Sequence, residues 1–165
     1  MAGAGTMVMM ESAGGAYEIQ PLGAGGEATF ERPRKEFRLW GGVPGIGLQK
    51  TAWFGEDDVL AGAIDIQVPP GGKMRIAGLA RLVEASETGT ERLAFSLIDD
   101  MGDNLWHVSA RLGILSADQI ETADEILVGP FPEGQYEFSW RLGGETARTT
   151  SVVIGPEPAF VDASP

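Results

Sequence analysis

Gln135-Tyr136-Glu137-Phe138-Ser139-Trp140-Arg141-Leu142-Gly143-Gly144 decides the fold class. Tyr136, Phe138, Trp140 and Leu142 alternate with Gln135, Glu137, Ser139 and Arg141. A period of two places the apolar set on one face of a strand. Gly143-Gly144 is a tight hairpin signal leading into a second strand, Thr146 to Ile154. Pro156 and Pro158 stop that strand.

Working outward, the same period recurs. Pro130-Phe131-Pro132-Glu133-Gly134 turns the chain after the apolar run Ile126-Leu127-Val128. Residues 116–124 are polar and suit a short helical turn. Trp106, Val108, Ala110 and Leu112 read as one face of a strand, with His107, Ser109 and Arg111 on the other. Asp99 to Asn104 reads as a hairpin loop after Leu93, Phe95 and Leu97. Met74 to Leu82 reads as a strand after the turn Pro69-Pro70-Gly71-Gly72, and Ile64, Ile66 and Val68 share a face before it. About seven to nine short strands, with turns roughly every eight to twelve residues, imply an all-β fold. The expected architecture is an antiparallel two-sheet β-sandwich of jelly-roll or immunoglobulin-like type. Residues 35–156 would form it. Residues 157–165 would be a frayed tail.

Residues 1–34 read differently. Gly14-Gly15, Gly23 and Gly25-Gly26 interrupt any regular element, which implies an extended N-terminal arm. Met7, Met9 and Met10, with Met1, are many for a solvated segment and suit docking on a partner. Arg32, Arg34 and Arg38 form a basic island, with Lys35, where arm meets domain. Trp40 and Trp53 flank a Gly/Pro-rich stretch and serve as candidate partner anchors, whereas Trp106 and Trp140 are expected in the core.

Composition removes several function classes. The chain has 165 residues, no cysteine, one histidine, and Lys+Arg 12 against Asp+Glu 24, for a net charge of −12. Thiolate zinc, thiol nucleophiles and redox dithiols are excluded. The field repels nucleic acid and anionic membranes. No apolar run is long enough for a membrane span, and the first residues lack the basic region and apolar core of a signal peptide. A cytoplasmic protein or a component of an assembled particle such as a virion fits. Gly42 to Thr51 lacks the contiguous Gly-Lys-Ser/Thr of a phosphate loop, and Gly23-Ala24-Gly25-Gly26 follows no expected strand.

Three side-chain groups carry candidate chemistry. Ser109 and His107 would make a nucleophile and base, but no orienting acid and no Gly-x-Ser-x-Gly elbow accompany them. Asp99, Asp100 and Asp103 supply the hard oxygens a calcium loop uses, and Glu56-Asp57-Asp58 is a weaker version of that signal. No other cofactor is indicated. His107, Ser109 and Arg111 in alternation form a polar row suited to sugar hydroxyls.

His107-Val108-Ser109-Ala110-Arg111 also resembles the sugar-binding strand of galectins, which carries His, Asn and Arg at alternate positions. Ile76-Ala77-Gly78 and Pro130 to Gly134 lie roughly where galectins place a strand and a Pro-Phe turn, so the resemblance spans residues 64–142. It implies a β-sandwich that binds a glycan through His107, Ser109 and Arg111. The chain departs from the pattern at Ser109, which replaces the asparagine. Asn104 is its sole asparagine, and the Trp-Gly-x-Glu-x-Arg segment is missing.

The leading expectation is a non-catalytic interaction module, a structural or accessory subunit of a larger protein assembly. Its partners would be protein subunits, docked through Met7, Met9, Met10 and the Arg32–Arg38 island. Glycan binding is the first alternative and a Ser/His hydrolase the second.

Overall fold

The structure, a computed structural model, describes residues 5–60, 62–85, 92–119, 124–145 and 147–165. The chain is mostly β, in three open sheets with two short helices.

The first sheet has the order β2-β1-β3-β4, from β1 (Met7–Ser12), β2 (Tyr17–Pro21), β3 (Phe37–Val43) and β4 (Gly47–Lys50). The segment expected as an arm is therefore two strands. The glycines that argued against structure make turns instead: Gly14 and Gly15, at φ +96° and +91°, reverse the chain between β1 and β2. Met9 pairs with Trp40, and Met10 with Leu39. Alternation sends Met9, Trp40 and Leu48 into the main core. It sends Met10, Phe37 and Leu39 to the opposite face, where Phe30, Phe54, Leu60, Ile64 and Ile66 cover them.

The second sheet, β10-β9-β6, holds the hairpin that opened the sequence reading. Here β6 is Leu93–Ile98, β9 is Gly134–Leu142 and β10 is Arg148–Ile154. Tyr136, Phe138, Trp140 and Leu142 all point inward, as the period requires. The third sheet, β11-β5-β8-β7, combines β5 (Gly72–Ala77), β7 (Ser116–Gln119), β8 (Ile126–Phe131) and β11 (Ala159–Asp162). β11 lies parallel to β5, and Val161 and Ala163 are buried, so the C-terminal residues are packed rather than frayed. Of the segment expected as a helical turn, residues 116–119 are strand and residues 120–123 lie outside the described residues. Thr146 also lies outside them, and the described part of its strand begins at Arg148.

Two expected strands are helices in whole or part. Met74 to Leu82 breaks at Gly78, whose φ of +79° ends β5 and starts α1 (Leu79–Glu84). The Gly78 and Ala80 N–H groups donate to the Asp124 carboxylate, at 3.2 and 2.8 Å. Residues 105–111 form α2 (Leu105–Arg111), capped by Asn104. Leu105, Val108, Ser109 and Leu112 are buried, a stripe of helical period. Ala63 to Val68 joins no strand ladder, although Ile64, Ile66 and Val68 are half-buried and Asp65 and Gln67 exposed.

One core joins the sheets. Trp40 and Leu48 from the first, Phe138 and Ile154 from the second, and Met74, Phe131 and Val161 from the third share it with α1 and α2. Among the described residues, no helix is long and apolar enough to cross a membrane.

Candidate functional site

Two neighbouring features converge on the loop between β6 and α2. The first is a network of charges that locks that loop to the first sheet. Arg38 faces the core side of β3, two residues before Trp40, with Glu11 opposite it on β1. Its Nε donates to Glu11 Oε2 at 2.8 Å. Its two terminal nitrogens donate to the two Asp103 oxygens at 2.7 and 2.6 Å, a bidentate fork. Lys50 Nζ donates to Asp103 Oδ2 at 2.5 Å and to Asp99 Oδ2 at 2.7 Å. Trp40 Nε1 donates to Glu11 Oε2 at 2.9 Å. The Arg38 guanidinium also lies 4.8 Å from the Trp40 ring centre and 4.5 Å from that of Trp53. Asp99 Oδ1 accepts from the Met101 and Asp103 N–H groups, which shapes the loop.

Burial disfavours charge on each of these groups, but the hydrogen bonds and opposite charges outweigh it. Asp103 is held below the ordinary carboxylate value, and Arg38 and Lys50 are held above their ordinary values. All three stay ionised near neutral pH.

The second feature is a recess of about 440 Å³ beside the same loop. Ile98, Val152 and Val153 give it apolar walls, and Asp99, Asp100 and Glu137 line it with acid. Val153 is 66% exposed, and Met101 on the loop is 71% exposed. Asp100 and Glu137 are exposed and form no ion pair among the described residues. Tyr136 lines the recess, yet its hydroxyl donates to the Pro132 carbonyl at 2.6 Å. Burial, with the charges of Asp99 and Asp100, pushes that phenol up to about 12, so it stays neutral. A broader recess of about 780 Å³ is lined by Lys35, Glu36 and the 55–58 loop.

The residues expected to act together are dispersed. His107, Ser109 and Arg111 lie on α2, not on a strand, so they share no face: residues two apart on a helix point about 200° apart. His107 is exposed. Ser109 is fully buried, and its hydroxyl has no hydrogen-bond partner among the described residues. The Arg111 guanidinium covers the Tyr17 ring at 4.5 Å. The galectin-like row therefore has no counterpart in the fold, and a Ser109–His107 dyad has no geometry.

Met9, Met10, Arg38 and Trp40 are buried, and Met7 packs on the core, so as placed they offer no docking surface. Met1 lies outside the described residues. Arg32 is spent on the Gly55 and Glu56 carbonyls at 3.0 and 3.1 Å, Arg34 is exposed, and Trp53 is 41% exposed. The calcium expectation is corrected in the same way: Lys50 and Arg38 already neutralise Asp99 and Asp103. Among the described residues no cluster of His, Asp and Glu is arranged to hold a metal ion. Trp140 is buried as expected, and Trp106 is partly buried against Phe95, Phe131 and Phe138.

The sequence reading missed Glu11 and Lys50 entirely. Their roles follow from the pairing of β1, β3 and β4, and nothing in the local sequence announces that pairing.

The site and fold thus define a mostly β protein that offers an acid-lined recess beside the β6–α2 loop. Neither a family model, nor a curated protein, nor a solved structure matches this chain.

Proposed function

We propose that this protein is a non-catalytic interaction domain, an accessory or structural subunit of a larger protein assembly, in the cytoplasm or in a particle such as a virion. Its docking surface is the recess beside the β6–α2 loop. The observation that carries this reading is the juxtaposition, in one recess, of exposed Val153 with the acidic groups Asp100 and Glu137. Apolar side chains held in water on a stiff frame are what an interface uses as anchors. An acidic rim selects a partner segment carrying lysine or arginine beside an apolar residue. The network from Glu11 to Lys50 supports the reading by holding the loop in place before a partner arrives, which lowers the ordering cost of binding.

The test is size fractionation of a native lysate, with the protein followed by mass spectrometry. The parent chain is expected to travel with a fixed set of larger partners. Asp100→Lys with Glu137→Lys is expected to release it while leaving its circular dichroism unchanged, because both side chains are exposed. Migration of the parent as a free small species, or retention of the double variant in the complex, overturns the reading.

A further inference from the structure

The recess lies on the outer face of the second sheet, and β10, at one side of that sheet, has an open edge. The Gly143 N–H donates to the Arg92 carbonyl at 2.9 Å, in the register that pairs Leu93 with Leu142. Bonding alternates along an antiparallel strand. Glu137, Ser139 and Arg141 therefore turn their backbone groups to β6, and Tyr136, Phe138 and Trp140 turn theirs to β10. Val152, Thr150 and Arg148 face those three and complete the ladder. Thr149, Ser151 and Val153 are left directing N–H and C=O away from the sheet. Among the described residues nothing bonds to these backbone groups. The far edge differs: there the Leu97 N–H donates to Asn104 Oδ1 at 3.2 Å, which closes β6 beside the loop. Thr149, Ser151 and Val153 also carry the exposed side chains of β10, whereas Val152 and Ile154 point into the core.

We propose that the partner adds an extended segment to this edge as a strand antiparallel to β10, with lysine or arginine opposite Ser151 and an apolar residue opposite Val153. The inference names the partner of the recess and rests on that reading. Strand addition satisfies backbone groups on both sides, while alternate side chains read the neighbouring surface. Directly opposed residues share a face, so the two specified side chains lie over the recess. Ser151 faces Glu137 across the ladder. Its small side chain leaves that row open. A lysine on the added strand, with its Cα about 10 Å from that of Glu137, reaches the carboxylate. Val153, 66% exposed, supplies the apolar contact. Read from its N-terminus, the partner segment is apolar, any residue, then basic. The edge also lacks the usual guards. Thr149 to Ile154 contains no charge and no proline, and its register with β9 runs without a shift. An unguarded edge is a ready template for another strand. A second copy of this chain is the wrong occupant: setting β10 against β10 would bring together two acidic recesses on chains of net charge −12.

The test uses the purified full chain and a blocked heptapeptide, Thr-Thr-Val-Thr-Lys-Thr-Thr, titrated by nuclear magnetic resonance. Saturating peptide is expected to slow amide exchange at Thr149, Ser151 and Val153 about tenfold or more, and to leave Thr150 and Val152, already bonded to β9, unchanged. N-methylating the peptide's lysine, whose N–H would face β10, is expected to weaken binding about tenfold or more. N-methylating its central threonine, whose N–H would face away, is expected to change nothing. These two peptides decide the matter without altering the protein. Ser151→Pro removes an N–H that lies outside the β9 ladder and is expected to match the lysine-methylated peptide in its loss. Glu137→Gln is expected to weaken the parent peptide as well. A peptide that needs Glu137 yet tolerates both methyl groups overturns strand pairing and leaves the recess reading standing. A peptide that does not bind overturns the pairing, and the lysate fractionation then judges the recess alone. Protection of the same three amides by self-association of the chain, without peptide, overturns the assignment of the occupant.

Discussion

Asp103 meets two cations at once, and its contribution to stability has a calculable sign. Its carboxyl is held below the ordinary value of 3.8 in the folded chain, because hydrogen bonds and charge from Arg38 and Lys50 outweigh desolvation. A group so depressed contributes stability that is fully present above its unfolded value. That stability is lost as pH falls through the lower, folded value. Lys50, held above 10.5, behaves in the opposite sense: its share is present below 10.5 and lost as pH rises through the folded value. Asp103→Asn removes one partner from a mostly buried network and leaves Arg38 short of a counter-charge. The expected loss is about 2–3 kcal/mol at pH 7. Urea titrations of parent and variant across pH should show the gap narrowing as pH drops below about 3.8. A gap that stays constant into acid would mean that Asp103 acts through packing rather than charge.

At the scale of elements, the reading from sequence succeeds where one face of a strand is apolar and the other polar. The β9–β10 hairpin is such a place, and Tyr136, Phe138, Trp140 and Leu142 are inward as the alternation demands. It fails where two periods fit the same letters. Trp106, Val108, Ala110 and Leu112 satisfy a period of two, but Leu105, Val108, Ser109 and Leu112 satisfy a helix, and Asn104 is a good cap. With seven residues in α2, pattern alone cannot arbitrate. The candidate site suffered most, because its polar row depended on that strand. The Met74–Leu82 reading fails at a single residue. Gly78 sits at φ +79°, and a Cβ there would meet Ser164 and the Asp162 carboxylate. Gly78→Ala is therefore expected to cost about 2 kcal/mol or more, from backbone strain plus displacement of the C-terminal segment. Thermal melts check the cost. Faster amide exchange at Ala163, which donates to the Ala77 carbonyl at 2.8 Å, checks the mechanism.

For the whole molecule, the decisive fact is that one core draws on all three sheets. Met9 lies at zero exposure in that core beside Trp40, although it belongs to the stretch whose glycines suggested an arm. An arm can be removed without consequence to its domain; a strand inside a sheet cannot. Taking away residues 1–22 would strip β1 and β2 from β3. It would open the pairing edge from Phe37 to Gly42, expose Trp40 and Leu39 on opposite faces, and leave Arg38 without Glu11. Losing a fully buried Met side chain alone costs about 2–5 kcal/mol. That is comparable with much of the roughly 5–15 kcal/mol that holds a typical domain together. The shortened chain is accordingly expected to lose its cooperative unfolding transition, with the fluorescence of its four tryptophans already shifted toward that of the denatured state in water. The parent should unfold in one step, with fluorescence and far-ultraviolet circular dichroism coincident. A truncated chain that still melts cooperatively near the parent's midpoint would show that the second and third sheets are stable alone and that β1 and β2 are an appendage after all.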